Sequence, residues 1–131
     1  MTVARVDTDS LGQIMHNNVV QKAVCIIKFY SNGCHLCHSL QDYYFDIAEQ
    51  NESDTDVLFF AYNLDDEPKW EKRLKFNGVP TIIAAFPDPN LPWKLANYEV
   101  MDEPEPPNKE TWYNSKEIGK FIEGAKDEFK K

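Results

Sequence analysis

Two thiols three positions apart, Cys34 and Cys37, are the residues of this sequence best suited to do chemistry. Spacing of i and i+3 on a helix brings both sulfurs to one side and one end, close enough for a tight disulfide ring. A strand-like run, AVCIIKFY at 23–30, precedes them, and Ser31-Asn32-Gly33 breaks it. Cys34 should therefore open a helix. There, unpaired backbone N–H groups and the helix dipole favour a thiolate over a thiol. His35 adds a second cationic neighbour when protonated. Cys34 is the candidate nucleophile, and Cys37, one turn deeper, the thiol that resolves a mixed disulfide.

The same residues admit three other readings. Cys34-His35-Leu36-Cys37-His38 fits the C-x-x-C-H pattern of covalent haem attachment, which requires export and usually a second axial ligand. Zinc could take Cys34, Cys37 and His35 or His38. A closed site needs four ligands, and the remaining candidates, Cys25 and His16, lie outside the motif. Two inert core thiols are the third reading, against which the small polar neighbours Asn32 and Gly33 argue for an exposed tip. Cys25, mid-strand among Val24, Ile26 and Ile27, reads as core.

The elements that must hold this pair follow from the rest of the chain. With 131 residues, 42% of them hydrophobic, one domain over 1–131 with a packed core is expected, and two are not. The net charge of -8 argues against non-specific nucleic-acid binding, which needs Lys and Arg to displace phosphate counterions. It suits solubility or basic partners. Residues 1–10 hold no apolar stretch of signal-peptide length, and the longest apolar runs are strand-sized, so no membrane span is expected. A cytoplasmic protein follows as the expectation, and in a reducing compartment a close cysteine pair reads as redox or metal chemistry.

Residues 1–6 suggest an edge strand, and Asp7, Asp9 and Ser10 are cap candidates for a short helix over 10–17. Cys37, Leu40, Tyr44, Ile47 and Ala48 share one face of the helix after the cysteines. VLFFAY at 57–62 is a second buried strand, followed by a helix from Asp66-Glu67-Pro68 to Phe76, closed by Asn77-Gly78. Thr81–Phe86 is a third strand, and 93–100 should pair back on it as a hairpin. Residues 101–111, acidic and rich in proline, read as a loop. Ser115 caps a last helix with the apolar stripe Ile118, Phe121, Ile122, Ala125 and Phe129. The order β-α-β-α-β-α-β-β-α predicts an α/β fold, a mixed sheet with helices on both faces.

At this point the sequence resembles the thioredoxin family over nearly its whole length. The resemblance rests on CIIKFY, the Cys-x-x-Cys at its end, AYNLDDEP, and Gly78-Val79-Pro80-Thr81 before the next strand. It implies the thioredoxin fold, a central mixed five-stranded sheet flanked by four helices. It implies a cis Pro80 against the active-site disulfide, which would leave the Val79 backbone free to pair with an extended substrate strand. Gly33, Leu64, Gly78 and Val79 match positions bordering the family's substrate groove. The redox-active disulfide would itself be the only cofactor.

The departures from the family bear on mechanism. The usual Trp-Cys-Gly-Pro-Cys is here Gly33-Cys34-His35-Leu36-Cys37, so the aromatic surface beside the nucleophile is gone. A buried acid that the family carries six residues before the first cysteine is replaced by Lys28, and the lysine that pairs with that acid by Ala61. Lys28 has two readings. One is a desolvated amine that handles the proton of Cys37; the other is a strand lysine that snorkels to solvent. His35 is similar to the histidine of more oxidising relatives, although theirs stands where this chain has Leu36. That implies a redox midpoint above that of an ordinary thioredoxin, and a measured midpoint at or below it overturns the implication. The 101–111 loop is either a solvated insertion or a partner-selecting rim.

The resemblance implies a protein-disulfide reductase acting on disulfide-containing proteins, re-reduced by a thioredoxin-reductase-type or glutathione donor, and monomeric. An oxidase or isomerase keeps the chemistry and reverses its direction. A thioredoxin-like binding or assembly module, with incidental thiols, is the reading from a different class.

Overall fold

The buried runs of the sequence become neighbouring strands of one sheet. In the computed structural model, which describes residues 3–130, β1 (Val3–Arg5), β2 (Val24–Tyr30), β3 (Val57–Asn63), β4 (Thr81–Phe86) and β5 (Asn97–Val100) line up in the order β1-β3-β2-β4-β5. β1 and β2 run parallel to β3, while β4 is antiparallel to β2 and to β5. Four helices cover it: α1 (Thr8–Met15), α2 (His35–Gln50), α3 (Lys69–Arg73) and α4 (Ser115–Phe129). The fold is the thioredoxin fold, as expected. Among the described residues, no helix is long and apolar enough to cross a membrane.

β2 is central and buried from Val24 to Phe29, which is why its sequence, Lys28 apart, is an apolar run rather than an alternation. Its side chains still alternate between faces. Val24 and Ile26 join the core beneath α2 and α4, with Leu40, Tyr44 and Ile118. Cys25, Ile27 and Phe29 join the other core, with Leu11 of α1 and Trp70 of α3. Burying each such aliphatic side chain contributes about 1.5–3 kcal/mol. Lys28 therefore points to the α2 side, and Cys25 to the opposite one.

Several boundaries differ from expectation, each for a visible reason. Met1 and Thr2, within the expected edge strand, lie outside the described residues, and β1 covers only Val3–Arg5. α1 starts two residues early because Asp7, one of the three cap candidates, accepts the Ser10 N–H at 2.8 Å. α3 stops at Arg73 instead of running to Phe76: Lys75 takes a left-handed φ of 60°, and the chain turns Phe76 into the core. A 310 turn, Leu64–Asp66, takes the first residue of the expected helix start, and α3 begins at Lys69 with Pro68 as its N-cap.

β5 begins at Asn97 rather than at 93, because the preceding segment is tied to the end of α1. The N–H groups of Trp93 and Ala96 donate to the His16 and Met15 carbonyls at 3.0 and 2.7 Å. The cap of α4 is Asn114, not Ser115, and its side chain and Glu117 form a reciprocal capping box. The acidic segment is a loop, as expected, with residues 105–110 exposed and its turn held by hydrogen bonds. Asn108 and Trp112 pair as a bridge, the Asn108 side chain accepts the Glu110 and Thr111 N–H groups, and Thr111 is buried.

Candidate active site

Cys34 is the N-cap of α2, in extended conformation (φ -85°, ψ 100°). The strand delivers it there: β2 ends at Tyr30, and a turn through Asn32 and Gly33 brings the chain to the helix start. The Cys37 N–H donates to Cys34 Sγ at 3.0 Å. That N–H is one of the donors a helix start leaves without an internal partner, and a donor aimed at sulfur favours the thiolate. Cys34 is partly exposed and Cys37 is 1% exposed. The two are joined as a disulfide, with Cα atoms 5.2 Å apart. An accessible sulfur at the tip and a sheltered one behind it is the asymmetry expected of an attacking and a resolving thiol.

A network absent from the sequence reading holds the turn. The Asn32 N–H donates to Asp65 at 2.8 Å, the Asn63 amide donates to the Asn32 side chain at 2.9 Å, and His38 Nε2 lies 3.1 Å from the Asn32 carbonyl. Asn32, Asn63 and Asp65 are thus positioning residues for the cysteine turn. Their only sequence signal was their polarity at strand ends. His35 is exposed on the first turn of α2, and Gly33 is exposed before Cys34.

The Val79–Pro80 peptide is cis, and the Thr81 hydroxyl donates to the Gly78 carbonyl at 2.7 Å across that turn. Gly78 has φ +80°, a conformation that favours glycine. Glu71 accepts the Gly78 N–H. Leu36, Gly78, Val79 and Pro80 border one groove of about 380 Å³. Asp102 and Glu103 of the acidic loop, and Trp112 just after it, also line it. The loop thus reaches the groove, and the cysteine segment and the cis-proline turn share it. Leu64 does not: it is 8% exposed and packed in the α1/α3 core.

Lys28 is 4% exposed, so it does not snorkel to solvent. Its Nζ lies 5.4 Å from the Tyr44 ring centroid and 5.7 Å from that of Tyr30. Its strand neighbours are Ala61 and Ile82, neither of which can pair with a charge. Burial first, and then the nearby Arg5 guanidinium, lower its pKa to about 8. Lys28 and Cys37 line the same cavity of about 460 Å³ between β1, β2 and α2. Cys25 lies on the far side of the sheet, where burial pushes its thiol up to about 12. Among the described residues, no group of three or more His, Cys, Asp or Glu side chains could hold a metal ion. His16 is engaged with the Gly12 carbonyl and Arg73.

Comparison with known proteins agrees with this geometry. A solved chloroplastic thioredoxin z superposes with a TM-score of 0.65 at 18% identity, over 97% of this chain and 96% of that one. A J-Trx1 fragment of ERdj5 gives 0.64 at 12% identity, over 94% of this chain and 49% of that one. An N21Q mutant thioredoxin from Halobacterium salinarum gives 0.61 at 17% identity, over 94% and 89%. No curated protein matches by sequence. The thioredoxin family model matches residues 3–92, a span that takes in the sheet from β1 to β4, both cysteines and the cis proline. This chain therefore belongs to the thioredoxin family, and its fold and Cys34–Cys37 pair point to thiol–disulfide redox chemistry.

Proposed function

We propose that the protein is a protein-disulfide reductase. The observation that carries this reading is the placement of Cys34: partly exposed, at a helix start, with its sulfur 3.0 Å from a backbone N–H and bonded to a sheltered Cys37. In the reduced protein the Cys34 thiolate attacks a substrate disulfide. A Cys34–substrate disulfide forms, and one substrate thiolate leaves. Cys37 loses its proton, and its thiolate attacks Cys34 sulfur. The Cys34–Cys37 disulfide closes, and the second substrate thiolate leaves and takes a proton. Two electrons pass from the dithiol to the substrate. A thioredoxin-reductase-type or glutathione donor in the cytoplasm restores the dithiol.

The groove supports an extended substrate lying along Val79, with Leu36 and Gly78 lining its path; Gly33 and His35 are exposed beside Cys34 but do not line it. Pro80 has no backbone N–H, so it offers the substrate strand no donor before β4 begins. Lys28 supplies what the lost acid would have done. As the neutral amine it accepts the Cys37 proton, and as the ammonium it stabilises the thiolate. The support is a shared cavity and a lysine whose pKa, about 8, lies near working pH.

The test is insulin disulfide reduction with dithiothreitol, wild type beside Cys34→Ser. Activity above the dithiothreitol background in wild type, lost in the variant, is the expected result. No activity in either protein would reject the reductase and favour a binding module or an oxidant.

A further inference from the structure

The cavity at Lys28 encloses a buried cation. Its floor is Lys28, Ala61 and the Tyr44 ring, and Arg5 and Phe45 stand at its exposed rim. Lys28 is 4% exposed, and its Nζ meets aromatic faces rather than any acceptor. Neither the Lys28 nor the Arg5 side chain has a hydrogen bond or an ion pair among the described residues. The Arg5 guanidinium lies 5.8 Å from the Tyr30 ring centroid. No acidic side chain lines the cavity, in a chain whose net charge is -8. A buried cation without a counter-charge is costly, and a charge-assisted hydrogen bond offsets that cost.

We propose that this cavity binds a small monocarboxylate with an apolar body, its carboxylate held between Lys28 and Arg5 and its body against Tyr44, Phe45 and Ala61. The volume of about 460 Å³ falls in the range of small-ligand sites. One buried ammonium and one rim guanidinium suit a single carboxylate. Tyr30, His38 and Gln41 also line the cavity, but the rest of its wall is aliphatic and ring surface, which suits an apolar body better than a phosphate, whose oxygens ask for donors on several sides. The inference concerns binding to the oxidised protein and does not rest on the reductase reading.

The experiment is calorimetric titration of the oxidised full chain with octanoate, and with octan-1-ol as the uncharged probe of the same body. Octanoate should bind saturably at one site and octanol at least about tenfold more weakly, the ratio expected of a charged hydrogen bond. Lys28→Met should lose about tenfold or more in octanoate affinity by the same reasoning. Arg5→Gln, a change at an exposed position that leaves the core untouched, should weaken it by about threefold. No saturable binding of millimolar octanoate overturns the proposal. So does octanol binding as tightly as octanoate, or Lys28→Met binding octanoate like wild type. Because no turnover is read, a failure here leaves the insulin result standing, and the reverse holds too.

Discussion

Cys37→Ser is expected to stop disulfide exchange halfway, leaving substrate covalently attached to Cys34. Cys34 keeps its place at the start of α2, so the first attack still forms the mixed disulfide. The hydroxyl that replaces the sheltered thiol cannot attack sulfur, so release passes to external thiols. An intramolecular thiol acts at a very high effective concentration, and its loss should lower turnover by about a thousandfold or more. The backbone N–H that points at Cys34 Sγ survives the substitution, because it belongs to the main chain of residue 37. Incubating the reduced variant with a disulfide protein and reading the adduct by non-reducing electrophoresis and mass spectrometry checks this. An adduct that forms on the variant and vanishes with added dithiothreitol is the expected outcome. Turnover close to wild type would show that Cys37 is not the resolving thiol.

Lys28→Met should alter both stability and pH dependence. The folded pKa of Lys28 is about 8, against 10.5 for an ordinary lysine. Between those values the unfolded chain holds a proton that the folded one has released. Wild-type stability should therefore rise with pH from about 8 to 10.5, by an amount on the order of 3 kcal/mol. Below pH 8 both states are protonated and the full cost of the buried ammonium is present. Methionine keeps the stem and removes the charge, so at neutral pH the variant should be more stable by about 1–3 kcal/mol. Urea unfolding of the two oxidised proteins across this pH range measures the difference, with other titrating groups cancelling between them. A constant difference across the range would sink the buried-cation account.

The second readout of the same variant is catalytic. The other charged or titratable groups around this cavity are Arg5, Tyr30, Cys37, His38 and Tyr44. Methionine leaves all five and removes only the amine. If Lys28 takes the Cys37 proton, the limb of the pH–rate profile near pH 8 should disappear from disulfide reduction. An unchanged profile would leave Lys28 as a binding or structural residue only, and a faster variant with a flat profile would mean that the ammonium slows the resolving step.

Much of this architecture was legible before the structure, because it depends on short-range pattern. The buried face of α2 is the set Cys37, Leu40, Tyr44, Ile47 and Ala48 read from helical spacing. The three long strands are likewise where runs of β-branched and aromatic residues placed them. Cys34 at a helix start follows from the same logic, since the residues that end β2 and those that begin α2 are adjacent in the chain. Pro80 and Gly78 were identified by resemblance, through their spacing from the cysteines.

What local pattern could not supply is what distant segments bring. Residues 93–100 had the length of a strand, but the N–H groups of Trp93 and Ala96 meet the end of α1, so only Asn97–Val100 remains to pair. Asn32 became a hub because β3 ends beside it at Asn63 and the 310 turn that follows presents Asp65. The left-handed Lys75 and the bridged acidic loop are likewise answers to tertiary packing. Lys28 shows the division most clearly. Its position in a central strand, and the two readings of it, came from the sequence alone. That it is buried instead of snorkelling depended on α2 laying Tyr44 over it and on β1 bringing Arg5 alongside, residues far from it in the chain. Residue type and spacing thus determined the chemistry available to this protein, whereas charge, burial and access at the site are properties of neighbours that only folding assembles.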